Sequence, residues 1–134
     1  MTELVSEFDY PAVVASRFRQ PRHAGSLPEG PGVVSGQSGS QRSGASVRLW
    51  LQFADGAVKH AYFAAYGCPY FIAAAETLAA WSEGRTVEQL SQWSWQAVEA
   101  ELGVPANKRG SLLALQKALS IVVIAHRTTQ AVAG

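Results

Sequence analysis

One thiol carries most of the chemistry open to this chain. Cys68 is the single cysteine among 134 residues, so an intrachain disulfide is excluded. It stands in Tyr66-Gly67-Cys68-Pro69, between an aromatic-rich stretch and an apolar, alanine-rich one. Gly67 permits a sharp turn, and Pro69 suits the first position of a helix, where a missing N–H costs nothing. That spacing puts Cys68 at or near a helix N-cap, beside unsatisfied N–H groups and the positive end of the helix dipole. A thiol so placed ionises more readily and becomes a nucleophile or metal ligand. Free cysteines are also among the most buried residues, and an inert core thiol fits the same local sequence. The three histidines, His23, His60 and His126, stand at no recognisable catalytic spacing from Cys68. With no Ser-His-Asp or Cys-His arrangement, the expectation is a protein that is not an enzyme.

The elements that must position Cys68 follow from periodicity. Val47 to Phe53 alternates, with Val47, Leu49, Leu51 and Phe53 on one face and Arg48, Trp50 and Gln52 on the other. Asp55-Gly56 is a favoured two-residue hairpin turn, so Ala57 to Tyr66 pairs antiparallel to it. A tight turn would set His60 opposite Leu51, but Phe63 then falls on the wrong face. Either a bulge near Lys59–His60 or a covered second face resolves this. A third strand is expected around Val33 and Val34, within Gly32 to Ser38, at a sheet edge. The rest of the Gly25–Ser46 stretch reads as flexible loop able to fold over Cys68. Asp9 or Ser6 is expected to cap a first helix ending near Arg19, with Tyr10, Val13, Val14 and Phe18 on one side. Helices are expected over Phe71–Trp81, after a Thr86–Gln89 capping box, and from a Ser94 cap to Gly103. A long amphipathic one runs from Pro105 to about Thr129. The fold class is α+β: a small antiparallel three-stranded sheet packed against helices, with a long C-terminal helix, as one domain over residues 1–134.

Composition narrows the partners. A net charge of +1 without a basic run gives no footprint for nucleic acid. No stretch approaches the roughly 20 apolar residues of a membrane span. Met1–Asp9 is polar and acidic, unlike a signal peptide, so a cytoplasmic location is expected.

Taken in order, several short pieces resemble the NifU N-terminal (IscU-type) iron–sulfur cluster assembly scaffolds: Gln20-Pro21-Arg22-His23-Ala24-Gly25, Ser43-Gly44-Ala45, Ala61-Tyr62-Phe63, Tyr66-Gly67-Cys68, Glu83-Gly84-Arg85-Thr86 and Pro105 to Ser111. The resemblance spans nearly the whole chain and implies the same three-stranded sheet with packed helices. His23 stands where that family has asparagine. The resemblance implies a [2Fe–2S] or zinc site of three cysteines helped by an aspartate or histidine. On that alignment the first cysteine falls on Ser43, the aspartate on Ala45, the second cysteine on Cys68, the histidine on Gly110 and the third cysteine on Ser111. Only Cys68 is retained. A [2Fe–2S] cluster needs four protein donors and zinc needs three or four, so no cofactor is expected for a single chain. The Leu-Pro-Pro-Val-Lys type motif that a dedicated chaperone reads in the family matches only at Pro105 and Lys108, which favours a plain helix-start loop.

Three roles remain open on this reading. One is a pseudo-scaffold that keeps the family surface for a cysteine desulfurase or another assembly protein, without metal. A second is a thiol or persulfide carrier, or redox protein, using Cys68. The third is cluster binding with ligands shared across a homodimer or with a partner.

Overall fold

A computed structural model describes Tyr10 to Ala133, with side chains through Gln130. Helix α1 (Ala12–Arg19) leads to strands β1 (Val33–Ser40), β2 (Ala45–Ala54) and β3 (Ala57–Tyr66). Helices α2 (Pro69–Ser82), α3 (Val87–Leu90), α4 (Trp95–Leu102) and α5 (Arg109–Ala133) follow, with a 3₁₀ turn (Ala106–Lys108) before α5. The strands form one antiparallel sheet in the order β1-β2-β3. This is the expected α+β architecture.

The hairpin turn is set by backbone chirality. Asp55 and Gly56 both have positive φ, 56° and 82°, as a two-residue turn between right-twisted strands requires. Beyond it Phe53 pairs with Val58 but Gln52 pairs with His60, so Lys59 is the extra residue of a bulge. The bulge returns Ala61 and Phe63 to the buried face beside Leu49 and Leu51. It also sets His60 opposite Gln52 and gives Leu51 to Ala61, instead of the His60–Leu51 pairing a tight turn alone would give.

Helices α2 and α5 cover the buried face, and α1 packs on α2. Gly36 of β1 allows α5 to sit directly on the sheet: a Cβ there would stand 2.6 Å from the Ala118 carbonyl oxygen. Farther along, Phe53 stacks on His126 with ring centroids 3.8 Å apart. The expected caps are present. Thr86 and Gln89 form a capping box, the Ser94 hydroxyl accepts from Ala97 N–H, and Gly103 closes α4 in the left-handed conformation.

Three expectations change. Helix α1 has Pro11 as its N-cap, without a side-chain cap; Ser6 and Asp9 lie outside the described residues. Phe18 is 41% exposed instead of sharing the buried side with Val14, because only one face of this short helix meets α2. The third strand is longer than expected and reaches Ser40, so nearly half of the Gly25–Ser46 stretch is sheet instead of flexible loop.

Candidate functional site

Cys68 is the N-cap of α2, as the Gly67-Cys68-Pro69 spacing predicts, with φ −73° and ψ 168° and Pro69 opening the helix. Its side chain makes no capping hydrogen bond. The residue is half-buried and packs against the edge of the core. Gly67 is required by proximity: a Cβ there would meet the Phe71 ring at 2.8 Å. Tyr66, just before it, is 51% exposed.

The register gathers the other aligned positions at this end of the sheet. Ser46 pairs with Tyr66, so the Ser43-Gly44-Ala45 turn lies beside the chain leaving β3 toward Cys68. Helix α5 runs along β1, with His126 at the Phe53 end and Ala118, Ile121 and Val122 over Gly36. From Gly36 to Ser40 a strand advances about 13 Å, the length of about nine helical residues. That directs the first turn of α5, with Gly110 and Ser111, toward the β1–β2 turn end of the sheet. Ser43, Ala45, Cys68, Gly110 and Ser111 therefore come from three separate stretches to one end of the fold.

Their chemistry is sparse. The Ser43 hydroxyl is spent on its own turn: it donates to the Ser40 carbonyl at 2.8 Å and accepts from Ser40 N–H at 3.2 Å, with the Ala45 carbonyl also 3.2 Å away. Ser40 returns a bond, its hydroxyl accepting from Ser43 N–H at 3.1 Å. Ala45 offers only a buried methyl group, and Gly110 has no side chain. Ser111 is half-buried, with a hydroxyl that is a poor metal donor when neutral. Among the described residues no group of three or more His, Cys, Asp or Glu side chains is placed to hold a metal ion. One thiol and two neutral hydroxyls, one of them engaged, do not fit a [2Fe–2S] cluster or a zinc ion within one chain.

His60 is exposed on the bulged stretch, and His126 is stacked on Phe53 at the far end of the sheet, so neither supplements Cys68. His23 is engaged elsewhere. Its Nδ1 lies 2.6 Å from Glu76 Oε2, its Nε2 lies 3.1 Å from Glu83 Oε1, and its backbone N–H donates to Glu76 Oε1 at 2.8 Å. Burial of the ring disfavours protonation, but the two carboxylates outweigh it and raise the His23 pKa above the ordinary 6.5. The imidazolium pins the Pro21–Gly25 loop to α2, and that loop in turn pairs with β3. Phe63 N–H donates to the His23 carbonyl and Gly25 N–H to the Phe63 carbonyl, both at 2.9 Å.

Sequence reasoning missed this triad, since its members lie 53 and 60 residues apart. The available signal was Glu76, the one carboxylate in the run Ile72–Ala80, which is apolar apart from Thr77. A buried charge in such a run asks for a partner.

The comparisons with known proteins agree with this geometry. The family model described as "NifU-like N terminal domain" matches residues 9–133. The "Iron-sulfur cluster assembly scaffold protein IscU" of Azotobacter vinelandii is 30% identical over 101 residues, covering 74% of this chain and 79% of that protein. The "Iron sulfur cluster assembly protein 1, mitochondrial" of Schizosaccharomyces pombe is 28% identical over 132 residues, covering 97% of this chain and 69% of the relative. Among solved structures, a putative iron–sulfur cluster assembly scaffold protein for the SUF system from Fervidobacterium islandicum superposes with a TM-score of 0.66 at 15% identity. That match covers 88% of this chain and 98% of the other, and it speaks to the fold. The chain belongs to the NifU-like N-terminal domain family of iron–sulfur cluster assembly scaffolds.

Proposed function

We propose that this chain is a pseudo-scaffold: a member of the assembly family that acts by binding a partner and does not hold a cluster of its own. The observation that carries the reading is the donor set at the Cys68 end. The strand register and the course of α5 direct Ser43, Ala45, Gly110 and Ser111 toward the Cys68 end, and of the five only Cys68 presents a strong ligand. Family surface without family ligands fits a protein that docks on a cysteine desulfurase, or on another assembly protein, without receiving the cluster as cargo. Titration calorimetry with a cysteine desulfurase tests this. Binding retained by Cys68→Ala is expected, because the contact is made by the fold. No detectable binding would refute the desulfurase as partner, and binding lost with the thiol alone would favour the second reading.

That second reading makes Cys68 a thiol or persulfide carrier. Its support is the half-buried position at the N-cap of a 14-residue helix, beside the unsatisfied N–H groups of the first turn. The absence of a capping bond to the sulfur weakens it.

A further inference from the structure

The two edges of the sheet are treated differently. Phe53 N–H bonds to the Gly32 carbonyl, which fixes the hydrogen-bonding phase along the β1–β2 pair. Alternation then turns the N–H and C=O groups of Ser35, Gln37 and Gly39 away from β2. On β3 the outward-facing groups from Val58 to Phe63 are largely met by the chain itself. Val58 N–H donates to the Arg85 carbonyl, and its own carbonyl accepts from Gly84 N–H. Ala61 N–H donates to Glu83 at 3.3 Å, and Phe63 bonds to His23 and Gly25. On β1, Ser35, Gln37 and Gly39 have no such backbone partner among the described residues. The strand also lacks the usual protections of an edge. Val33–Ser40 contains no charge and no proline, and its register with β2 is unbroken.

What surrounds that edge selects its occupant. No Asp or Glu occurs between residues 30 and 54 or between 102 and 134. Exposed basic residues border β1: Arg42 in its turn, Arg48 opposite Gln37, and Lys117 beside the Ala118 that overlies Gly36. A second copy does not fit. Helix α5 sits directly over β1, so a paired β1 from another copy would bring its own α5 within about one strand spacing, ~5 Å. Packed helices need about 8–10 Å. A lone extended segment has no such helix, and its inward side chains would rest against Ile121.

We infer that the β1 edge is a strand-addition site for an extended, acidic segment of a partner polypeptide, held through the outward backbone groups of Ser35, Gln37 and Gly39. Main-chain pairing supplies affinity, and Arg42, Arg48 and Lys117 supply the preference for acidic side chains. The site is a sheet edge that runs up to the β1–β2 turn of the Cys68 end, uses none of the donor positions, and goes beyond the reading above.

The probe is a fluorescein-labelled peptide of about eight residues alternating Glu and Val, with a Lys–Val counterpart. In the free protein, the amides of Ser35, Gln37 and Gly39 are expected to exchange hydrogen quickly while those of Val34, Gly36 and Ser38 are protected. The acidic peptide should bind, slow exchange at the first three positions, and bind more weakly as salt rises. Gln37→Pro removes one outward N–H without touching the β1–β2 ladder. It should keep the circular dichroism spectrum and weaken the peptide about tenfold or more. No binding, equal binding of the Lys–Val peptide, or binding unchanged by Gln37→Pro would overturn the assignment. Slow exchange at Ser35, Gln37 and Gly39 in the free protein would overturn it too, by showing the edge already occupied. Sedimentation would then tell residues 1–9 of the same chain from a second copy.

Discussion

Replacing His23 with alanine should cost stability in a pH-dependent way. The imidazole is 17% exposed and the Glu76 side chain 8%, so truncation strands a largely buried carboxylate with, among the described residues, only the His23 backbone N–H as partner. Losing a charge-assisted bond of this kind costs about 2–3 kcal/mol. For 134 residues, at roughly 2.1 cal/mol/K each, that lowers Tm by about 7–11 °C near pH 6. The sign with pH follows from linkage. The folded-state pKa of His23 lies above its unfolded value, so folding favours the protonated ring. The contribution is full below the ordinary imidazole pKa of 6.5 and is lost as pH rises through the higher folded-state value. Urea unfolding at pH 5.5, 7 and 8.5 reads this directly: the wild-type advantage over His23→Ala should shrink as pH rises. His23→Asn, which keeps a hydrogen bond but no charge, should lie between the two and lack the pH trend. An advantage that grows with pH, or one independent of pH, would refute the triad's role as an imidazolium clamp.

If Cys68 serves as a thiol carrier, it should alkylate in the folded protein at least as fast as in the urea-unfolded chain, because its side chain is only partly covered and makes no capping hydrogen bond. Slower folded-state labelling at every pH would remove the thiol-carrier reading. Gly36→Ala should destabilise by about 1–3 kcal/mol, because its Cβ would sit 2.6 Å from the Ala118 carbonyl oxygen and α5 would have to lift. An unchanged urea midpoint would show that α5 is not seated as described.

Local rules made much of the fold legible. The alternation of Val47–Phe53 and the Asp55-Gly56 turn implied the hairpin, and the misplaced parity of Phe63 called for a bulge or a covered second face; the register shows the bulge, at Lys59. The caps at Thr86, Ser94 and Gly103 were readable because each depends on residues within one helical turn. Strand β1 was only half legible. Its glycines and serines resemble loop, and the reason for Gly36 lies on a helix more than eighty residues away. Phe18 misled because apolar spacing cannot say how wide the packed face of a helix is. At the candidate site, the helix N-cap at Cys68 was written locally. The inward turn of the Ser43 hydroxyl and the His23–Glu76–Glu83 clamp depend on three-dimensional neighbours.

Whether the donors at the Cys68 end can hold a cluster is decided by metal content. Iron, zinc and acid-labile sulfide should be measured, with a visible spectrum, on anaerobically purified protein and on a Ser43→Cys, Ala45→Asp, Ser111→Cys variant. The wild-type chain is expected to be colourless, with no stoichiometric iron or zinc. The variant, with its donors restored at the same end of the fold, is expected to gain metal. One tightly bound iron or zinc per wild-type chain, abolished by Cys68→Ala, would contradict the account.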